Sequence, residues 1–332
     1  MNDHKLALIP YPRQVTRRSD TFAFRGSTEI LLAPYDAQDL FGSATCLQDA
    51  LEQETGTILS IAVAAGPQPN TVTLAIDPDQ IEEEQGYTLD ITPEGIAITG
   101  HDPAGAFYGV CTLNQLIRQF GATLPGLSVV DWPDYAARGV MLDVSRCKVP
   151  TLPTLFGLVD MLAGFKINQL QLYTEHTFAY RDHREAWVNA SPLTGQDILE
   201  LDAYCEAQFV ELVPNQNSFG HMVPWLNHPK YAHLAEAPEG FEYPWGGRSA
   251  GPFSLNPTDP RSLELLEVLY DDLLPHFTSP LFNVGCDETW DLGTGRSKAV
   301  CEERGTHRVY LDFLLEIHRL VHVPGIAVST NP

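Results

Sequence analysis

The stretch Leu281-Phe282-Asn283-Val284-Gly285-Cys286-Asp287-Glu288-Thr289 decides the fold. An apolar run ends in two adjacent carboxylates, which reads as a buried strand with Asp287 and Glu288 at its C-terminal mouth. Neighbours on a regular strand point to opposite faces, but at a strand end the chain is already turning, so both can reach one pocket. Repulsion between neighbouring carboxylates, added to partial burial, favours one protonated acid beside one ionised group. An acidic pair capping the next helix accounts for the same two residues equally well.

The same strand–helix rhythm runs back to residue 134. Val140-Met141-Leu142-Asp143-Val144, Ile167 to Leu172 and Val210-Glu211-Leu212-Val213 read as three further buried strands. Between them, Leu155, Leu158, Val159 and Leu162 line one helix face, and Ile198 to Phe209 contains a second helix. Leu263, Leu266, Leu269 and Leu273 form a stripe before the acidic strand, and Tyr310, Leu314, Ile317 and Leu320 form one after it. Such alternation gives a parallel sheet with right-handed crossovers, and polar strand ends fit a (β/α) barrel with its site at the strand C-termini.

Upstream the pattern differs. Thr71 to Ile76, Gly86 to Ile91 and Gly95 to Thr99 alternate as strands, the last two joined by the turn Thr92-Pro93-Glu94-Gly95. Helices are predicted over about Ala37 to Gln53 and after Asp102-Pro103, with Asp102 as N-cap and Phe107, Val110, Leu113, Ile117 and Phe120 at helical spacing. The expected organisation is a small α+β domain over residues 1–133 and an α/β barrel domain over residues 134–332.

Composition narrows the partners. The 332 residues carry 20 Lys and Arg against 43 Asp and Glu, a formal charge of −23. That balance argues against nucleic acid and against an anionic membrane surface. No run reaches the ~18 apolar residues of a membrane span. Met1-Asn2-Asp3-His4-Lys5 lacks the basic start and apolar core of a signal peptide, so a cytoplasmic location is expected. Cys46, Cys111, Cys147, Cys205, Cys286 and Cys301 show no C-x-x-C spacing and read as free thiols.

Other strand ends carry candidates for chemistry. Arg146 follows the first barrel strand; its fork of donors suits sugar hydroxyls or a carboxylate, and a salt bridge to Asp143 explains it as well. His221 follows the third strand, where it orients an acid, binds substrate or packs structurally. Glu175 and His176 end the second strand, and with His221, Asp287 and Glu288 they are a conceivable metal set. There is no H-x-H or H-E-x-x-H spacing, so metal ranks below a carboxylate mechanism. Trp225, Trp245 and Trp290 lie near the same face, as sugar platforms or as packing.

Together these segments resemble glycoside hydrolase family 20, the β-N-acetylhexosaminidases. Gly86-Tyr87-Thr88-Leu89 through Ala104 to Leu113 is similar to the family's small N-terminal domain. Arg138 to Arg146 is similar to its first barrel strand, and Gly285-Cys286-Asp287-Glu288 to its catalytic signature. The resemblance implies a (β/α)8 TIM-barrel catalytic domain and a substrate-assisted retaining mechanism on terminal β-linked N-acetylhexosamine, without metal or cofactor. It implies that Glu288 is the general acid and base and that Asp287 holds the 2-acetamido group. It further implies that Arg146 binds the terminal sugar and that His221 supports the acid.

The departures from the family pattern are specific. Two aspartates usual after the second strand are replaced by Thr174-Glu175-His176, with Glu175 the stand-in partner of the histidine. Asn215-Gln216-Asn217 stands where an acidic residue is common. From Arg138 onward there are about 195 residues, against ~250 for a whole barrel. Four barrel strands are clear, and Val323 to Pro332 does not resemble a fifth. The expectation is a chain truncated within the barrel, holding about the first four β/α units. Its alternative function is an inactive remnant with at most weak sugar binding.

Overall fold

The computed structural model describes residues 6–66, 68–146 and 148–321, and the backbone of 327–329. Met1 to Lys5, Cys147 and most of the segment from Val323 to Pro332 lie outside the described residues. The chain forms two compact units.

The first unit comprises Met1–Arg138, Leu158–Asn168 and Ala207–Phe209. Its strands are β1 (Gln14–Ala23), β2 (Glu29–Leu32), β3 (Ser60–Val63), β4 (Thr71–Ile76), β5 (Tyr87–Thr92), β6 (Gly95–Gly100) and β7 (Thr123–Asp131). They form one mixed sheet in the order β1-β7-β5-β6-β4-β2-β3. Two helices, α1 (Ala37–Thr55) and α2 (Pro103–Phe120), pack on each other and on this sheet. Asp102 caps α2 as its sequence requires: one carboxylate oxygen accepts from the Gly105 N–H at 2.7 Å and the other from the Gln85 N–H at 2.8 Å. Phe107, Val110, Leu113 and Ile117 bury the helix's apolar stripe.

Sequence patterning misses β1 and β7 for opposite reasons. β1 is largely exposed, so its side chains carry no hydrophobic alternation. β7 contains Pro125 and Gly126, which normally argue against a strand. Pro125 is tolerated because β5 pairs only with Leu127 to Asp131. Deeper in this unit Lys166 is buried, with Nζ 2.9 Å from Asp131 Oδ2 and 2.8 Å from the Tyr87 hydroxyl. Burial pushes the Lys166 ammonium below its ordinary range, and Asp131 opposes that shift.

The second unit comprises Gly139–Gly157, Gln169–Glu206 and Val210–Pro332. In chain order its elements are β8 (Gly139–Asp143), the first part of α3 (Leu152–Gly164), β9 (Gln169–Tyr173), α4 (Arg184–Trp187), all but the last residue of α5 (Gly195–Ala207), β10 (Glu211–Val213) and α6 (Val223–Leu226). They continue with β11 (Phe241–Glu242), β12 (Arg248–Ser249), α7 (Pro260–Leu273), β13 (Leu281–Asn283), α8 (Lys298–Arg304), α9 (Thr306–Leu320) and β14 (Ala327–Ser329). β8, β9 and β10 pair in parallel. A parallel bridge from Asn215 to Asn283 brings in β13, which pairs in parallel with β14.

The strands therefore follow one another in sequence order around an arc, the arrangement of a (β/α) barrel. Four β/α units are present, as expected. The reading of the chain end is corrected, because β14 is a fifth parallel strand whose three residues were too short a pattern to register. Among the described residues β8 and β14 do not pair, so the arc is open. None of the described helices is long and apolar enough to cross a membrane.

Candidate active site

The C-terminal ends of β8, β9, β10 and β13 bring Arg146, Glu175, His221, Asp287 and Glu288 together. The centre of the group is the buried His221 ring. Its Nδ1 lies 3.3 Å from Arg146 Nη2 and 3.6 Å from Glu175 Oε1. Its Nε2 lies 3.2 Å from Glu288 Oε2 and 3.8 Å from Asp287 Oδ2. One imidazole thus stands between the Arg146–Glu175 ion pair at its Nδ1 edge and the two carboxylates at its Nε2 edge.

Burial pushes His221 below its ordinary value, with Arg146 adding to the shift against Asp287 and Glu288. The neutral ring is therefore favoured. A guanidinium only donates, so we assign Nδ1 as the acceptor facing Arg146 and Nε2–H as the donor to Glu288. Burial also pushes Glu175 upward, against the pull of Arg146 and the Tyr173 hydroxyl. Arg146 Nη2 lies 3.2 Å from Glu175, and Tyr173 donates to the same Glu175 oxygen at 3.1 Å. Arg146 Nη1 also pairs with Asp143, so the salt bridge weighed from the sequence coexists with membership of the cluster. That pair, with Tyr173 and Glu175, holds the guanidinium's proton more tightly than usual although burial opposes it.

The backbone around the cluster is constrained. His221 and Glu288 both sit at positive φ, 58° and 52°, a region that non-glycine residues rarely occupy. Gly285 also has positive φ, and a Cβ there would fall 2.3 Å from Asn217 Oδ1. Asn217 is fixed in turn, because its N–H donates to the Thr174 carbonyl at 2.9 Å. The Asn215-Gln216-Asn217 segment is thus a buried bracket: Asn215 accepts from the Thr174 N–H at 2.8 Å and Gln216 donates to the Glu175 carbonyl at 3.1 Å. From α9, Tyr310 donates to the Cys286 carbonyl at 2.9 Å and anchors the acidic segment.

Several alternatives are corrected. Asp287 and Glu288 cap no helix, since the chain makes turns until α8 begins at Lys298, with Ser297 in the N-cap position. Trp225 is fully buried and donates to the Glu175 carbonyl at 2.7 Å, so it is a scaffold residue rather than a platform. His176 is not brought into the cluster; its buried Nδ1 has no hydrogen-bond partner among the described residues. Among the described residues no group of three or more His, Cys, Asp or Glu is placed to hold a metal ion.

Sequence reasoning missed Tyr173 and Phe253. Arg146 lies over the Tyr173 ring at 5.0 Å, and Phe253 meets the His221 ring edge-on at 4.9 Å. Tyr173 was accessible to strand alternation, which puts it on the same face as Glu175. Phe253 sits on a long loop that leaves no periodic signal.

Comparison with known proteins agrees with this architecture. A family model for glycosyl hydrolase family 20, domain 2, matches residues 5–132, and the model for the family's catalytic domain matches residues 135–311. The second match covers more than half of the chain, and the chain belongs to glycosyl hydrolase family 20. The β-hexosaminidase of Porphyromonas gingivalis is 26% identical over 317 residues, which cover 86% of this chain and 39% of that protein. The N,N'-diacetylchitobiase of Vibrio harveyi is 30% identical over 176 residues, covering 52% of this chain and 18% of the relative. In fold, the chain matches the Vibrio harveyi family 20 exo β-N-acetylglucosaminidase in complex with N-acetylglucosamine. The TM-score is 0.80 at 18% identity, covering 98% of this chain and 54% of that one. The chain spans about half the length of such solved structures and less than half of the P. gingivalis protein.

Proposed function

We propose that the site removes terminal β-linked N-acetylhexosamine, N-acetylglucosamine or N-acetylgalactosamine, from glycans by a substrate-assisted retaining mechanism. The observation that carries this reading is the position of Asp287 and Glu288 side by side, both facing the His221 Nε2 edge. Two carboxylates on one side of a cleft cannot flank an anomeric carbon as acid and opposing nucleophile. The substrate's 2-acetamido oxygen then supplies the nucleophile.

In the first step that oxygen bonds to the anomeric carbon as the glycosidic bond breaks. Glu288 gives its proton to the leaving oxygen. Donation from Nε2–H of His221 engages Glu288 Oε2, leaving Oε1 for the transferable proton. Asp287 accepts from the acetamido N–H and stabilises the positive charge of the cyclic intermediate. In the second step water attacks the anomeric carbon, surrenders a proton to Glu288 and reopens the ring with net retention. Arg146 holds hydroxyls of the terminal sugar, with Glu175 and Asp143 fixing its fork.

The division at residue 133, close to the junction between the two family matches, belongs to the same proposal. So does a cytoplasmic location, supported by the buried free thiols Cys111, Cys205 and Cys286. The open strand arc favours one rival, a chain that binds the sugar weakly and does not turn it over. Hydrolysis of 4-nitrophenyl N-acetyl-β-glucosaminide decides between them. Turnover that falls ~10²–10⁴-fold in Glu288→Gln supports the mechanism. Equal rates in wild type and variant remove Glu288 from the acid role, and no turnover by the wild type favours the rival.

A further inference from the structure

Asp291 lies three residues past Glu288 and is fully buried, as is Glu236. The proposed chemistry uses neither carboxylate. Both residues meet the backbone of Ser254. Asp291 Oδ2 accepts from the Ser254 N–H at 2.9 Å, and the Ser254 carbonyl accepts from the Glu236 N–H, also at 2.9 Å. The Glu236 carboxylate reaches the far end of the loop that Asp291 begins. It accepts from the Gly295 N–H at 3.1 Å, the Ser297 N–H at 3.0 Å and the Ser297 hydroxyl at 2.7 Å. The loop from Asp291 to Ser297 is thus fastened at both ends, to Ser254 at one and to Glu236 at the other.

A buried carboxylate is costly unless its oxygens are satisfied. Burial pushes both groups above their ordinary values, and Asp291 adds to the rise at Glu236. Asp291 Oδ1 and the Ser254 hydroxyl have no hydrogen-bond partner among the described residues. The bond from Asp291 to Ser254 is therefore a poor source of stability, and its consequence lies in what Ser254 is attached to.

The residues on either side of Ser254 grip the histidine turn. The Phe253 carbonyl accepts from the Met222 N–H at 3.0 Å, and the Leu255 N–H donates to the Phe219 carbonyl at 3.0 Å, one bond on each side of His221. Gly220 packs so closely on the acidic segment that a Cβ there would fall 2.5 Å from the Asp287 carbonyl oxygen. A path of hydrogen bonds thus runs from the His221 turn through Ser254 to Asp291, on the segment that carries Glu288. We propose that Asp291 is a positioning residue: its bond to Ser254 fixes the register between the two turns, and with it the 3.2 Å contact of His221 Nε2 with Glu288 Oε2. This deepens the function proposed above and rests on it for the acid role of Glu288.

Exchange of the His221 Nε2 proton with water, followed by NMR on the 332-residue chain, tests the proposal. Loss of the signal in His221→Asn assigns it. Asp291→Ala removes the acceptor and should speed the exchange at least ~10-fold, the scale of one lost hydrogen bond. Asp291→Asn keeps an acceptor oxygen and should restore most of the protection. Lys166→Met, which destabilises the first unit, controls for loss of stability alone and should leave the exchange unchanged. If Asp291→Ala does not fold, Asp291→Ser, too short to reach the Ser254 N–H, takes its place. Unchanged exchange without the Asp291 carboxylate overturns the proposal, as do equal acceleration in Lys166→Met, no rescue by Asp291→Asn, or an unprotected proton in the wild type. Hydrolysis of 4-nitrophenyl N-acetyl-β-glucosaminide judges the function separately. There Asp291→Ala should lower kcat ~10²-fold at nearly unchanged KM. No turnover by the wild type counts against the function and leaves the exchange to decide the role of Asp291.

Discussion

His221 Nε2 lies 3.2 Å from Glu288 Oε2, and both residues hold left-handed backbone conformations, φ 58° and 52°. The contact therefore stands on two strained turns, one after β10 and one after β13. Strain of this kind persists only where surrounding structure fixes it, and here the Asn215–Asn217 bracket and Tyr310 do so.

The backbone at His221 predicts an unequal response to substitution. Asn tolerates positive φ, whereas a β-branched residue does not. His221→Asn should fold with a melting temperature near that of the wild type, while His221→Val should lose ~1–3 kcal/mol more. Urea denaturation of the two variants measures the difference, and equal losses would deny the strain.

The same histidine gives a pH signature. Its folded-state value lies below the ordinary 6.5, so below pH 6.5 the unfolded chain binds more protons. Its contribution to stability is complete above 6.5 and is lost as pH falls toward the depressed value. Glu175 has the opposite sign: its raised value makes the folded chain bind the extra proton just above pH 4.5, so that term weakens as pH rises. Thermal melts of wild type and His221→Asn, which shares the Glu175 term, isolate the histidine. The wild type should gain on the variant between pH 5 and 7; a constant gap contradicts the assignment.

Gly285 meets two constraints at once, positive φ and the 2.3 Å approach to Asn217 Oδ1. Gly285→Ala should cost ~2–4 kcal/mol and shift the acidic segment with it. Asn217→Ala combined with Gly285→Ala should recover part of that loss, because the clashing oxygen is removed while the backbone strain remains. Additive losses in a denaturation cycle would show that the contact is not responsible.

In the first unit, Lys166 and Asp131 form a buried pair 2.9 Å apart. Removing one partner leaves the other charge buried, so Lys166→Met alone should cost ~3–5 kcal/mol. The double change Lys166→Met with Asp131→Leu should cost much less than the sum of the two single changes. Chemical denaturation of all four proteins tests this, and simple additivity would contradict it.

What the sequence disclosed was local or periodic. The Asp102 cap, the α2 stripe and the β5–β6 turn are local chemistry, and the structure reproduces them. The barrel rhythm from β8 to α9 is periodic and equally plain. Long-range context was needed for the rest. β1 lacks alternation because it is exposed, and β7 hides behind a proline that one pairing partner avoids. Trp225 and Trp245 are indistinguishable by spacing, yet one is a buried donor and the other an exposed turn residue. The left-handed turns at His221 and Glu288 are invisible because neither residue is glycine. Asp287, Glu288, Arg146, His221 and Glu175 were individually ambiguous; folding brings all five around one ring.

The central claim is that Asp287 and Glu288 let an N-acetyl sugar act as its own nucleophile. Binding of the cyclic thiazoline analogue of N-acetylglucosamine, which mimics the positively charged intermediate, tests it most directly. The account predicts that the chain binds this analogue at least ~100-fold more tightly than N-acetylglucosamine, and that Asp287→Asn removes most of that preference. Equal affinity for the two sugars, or a preference untouched by Asp287→Asn, would contradict it.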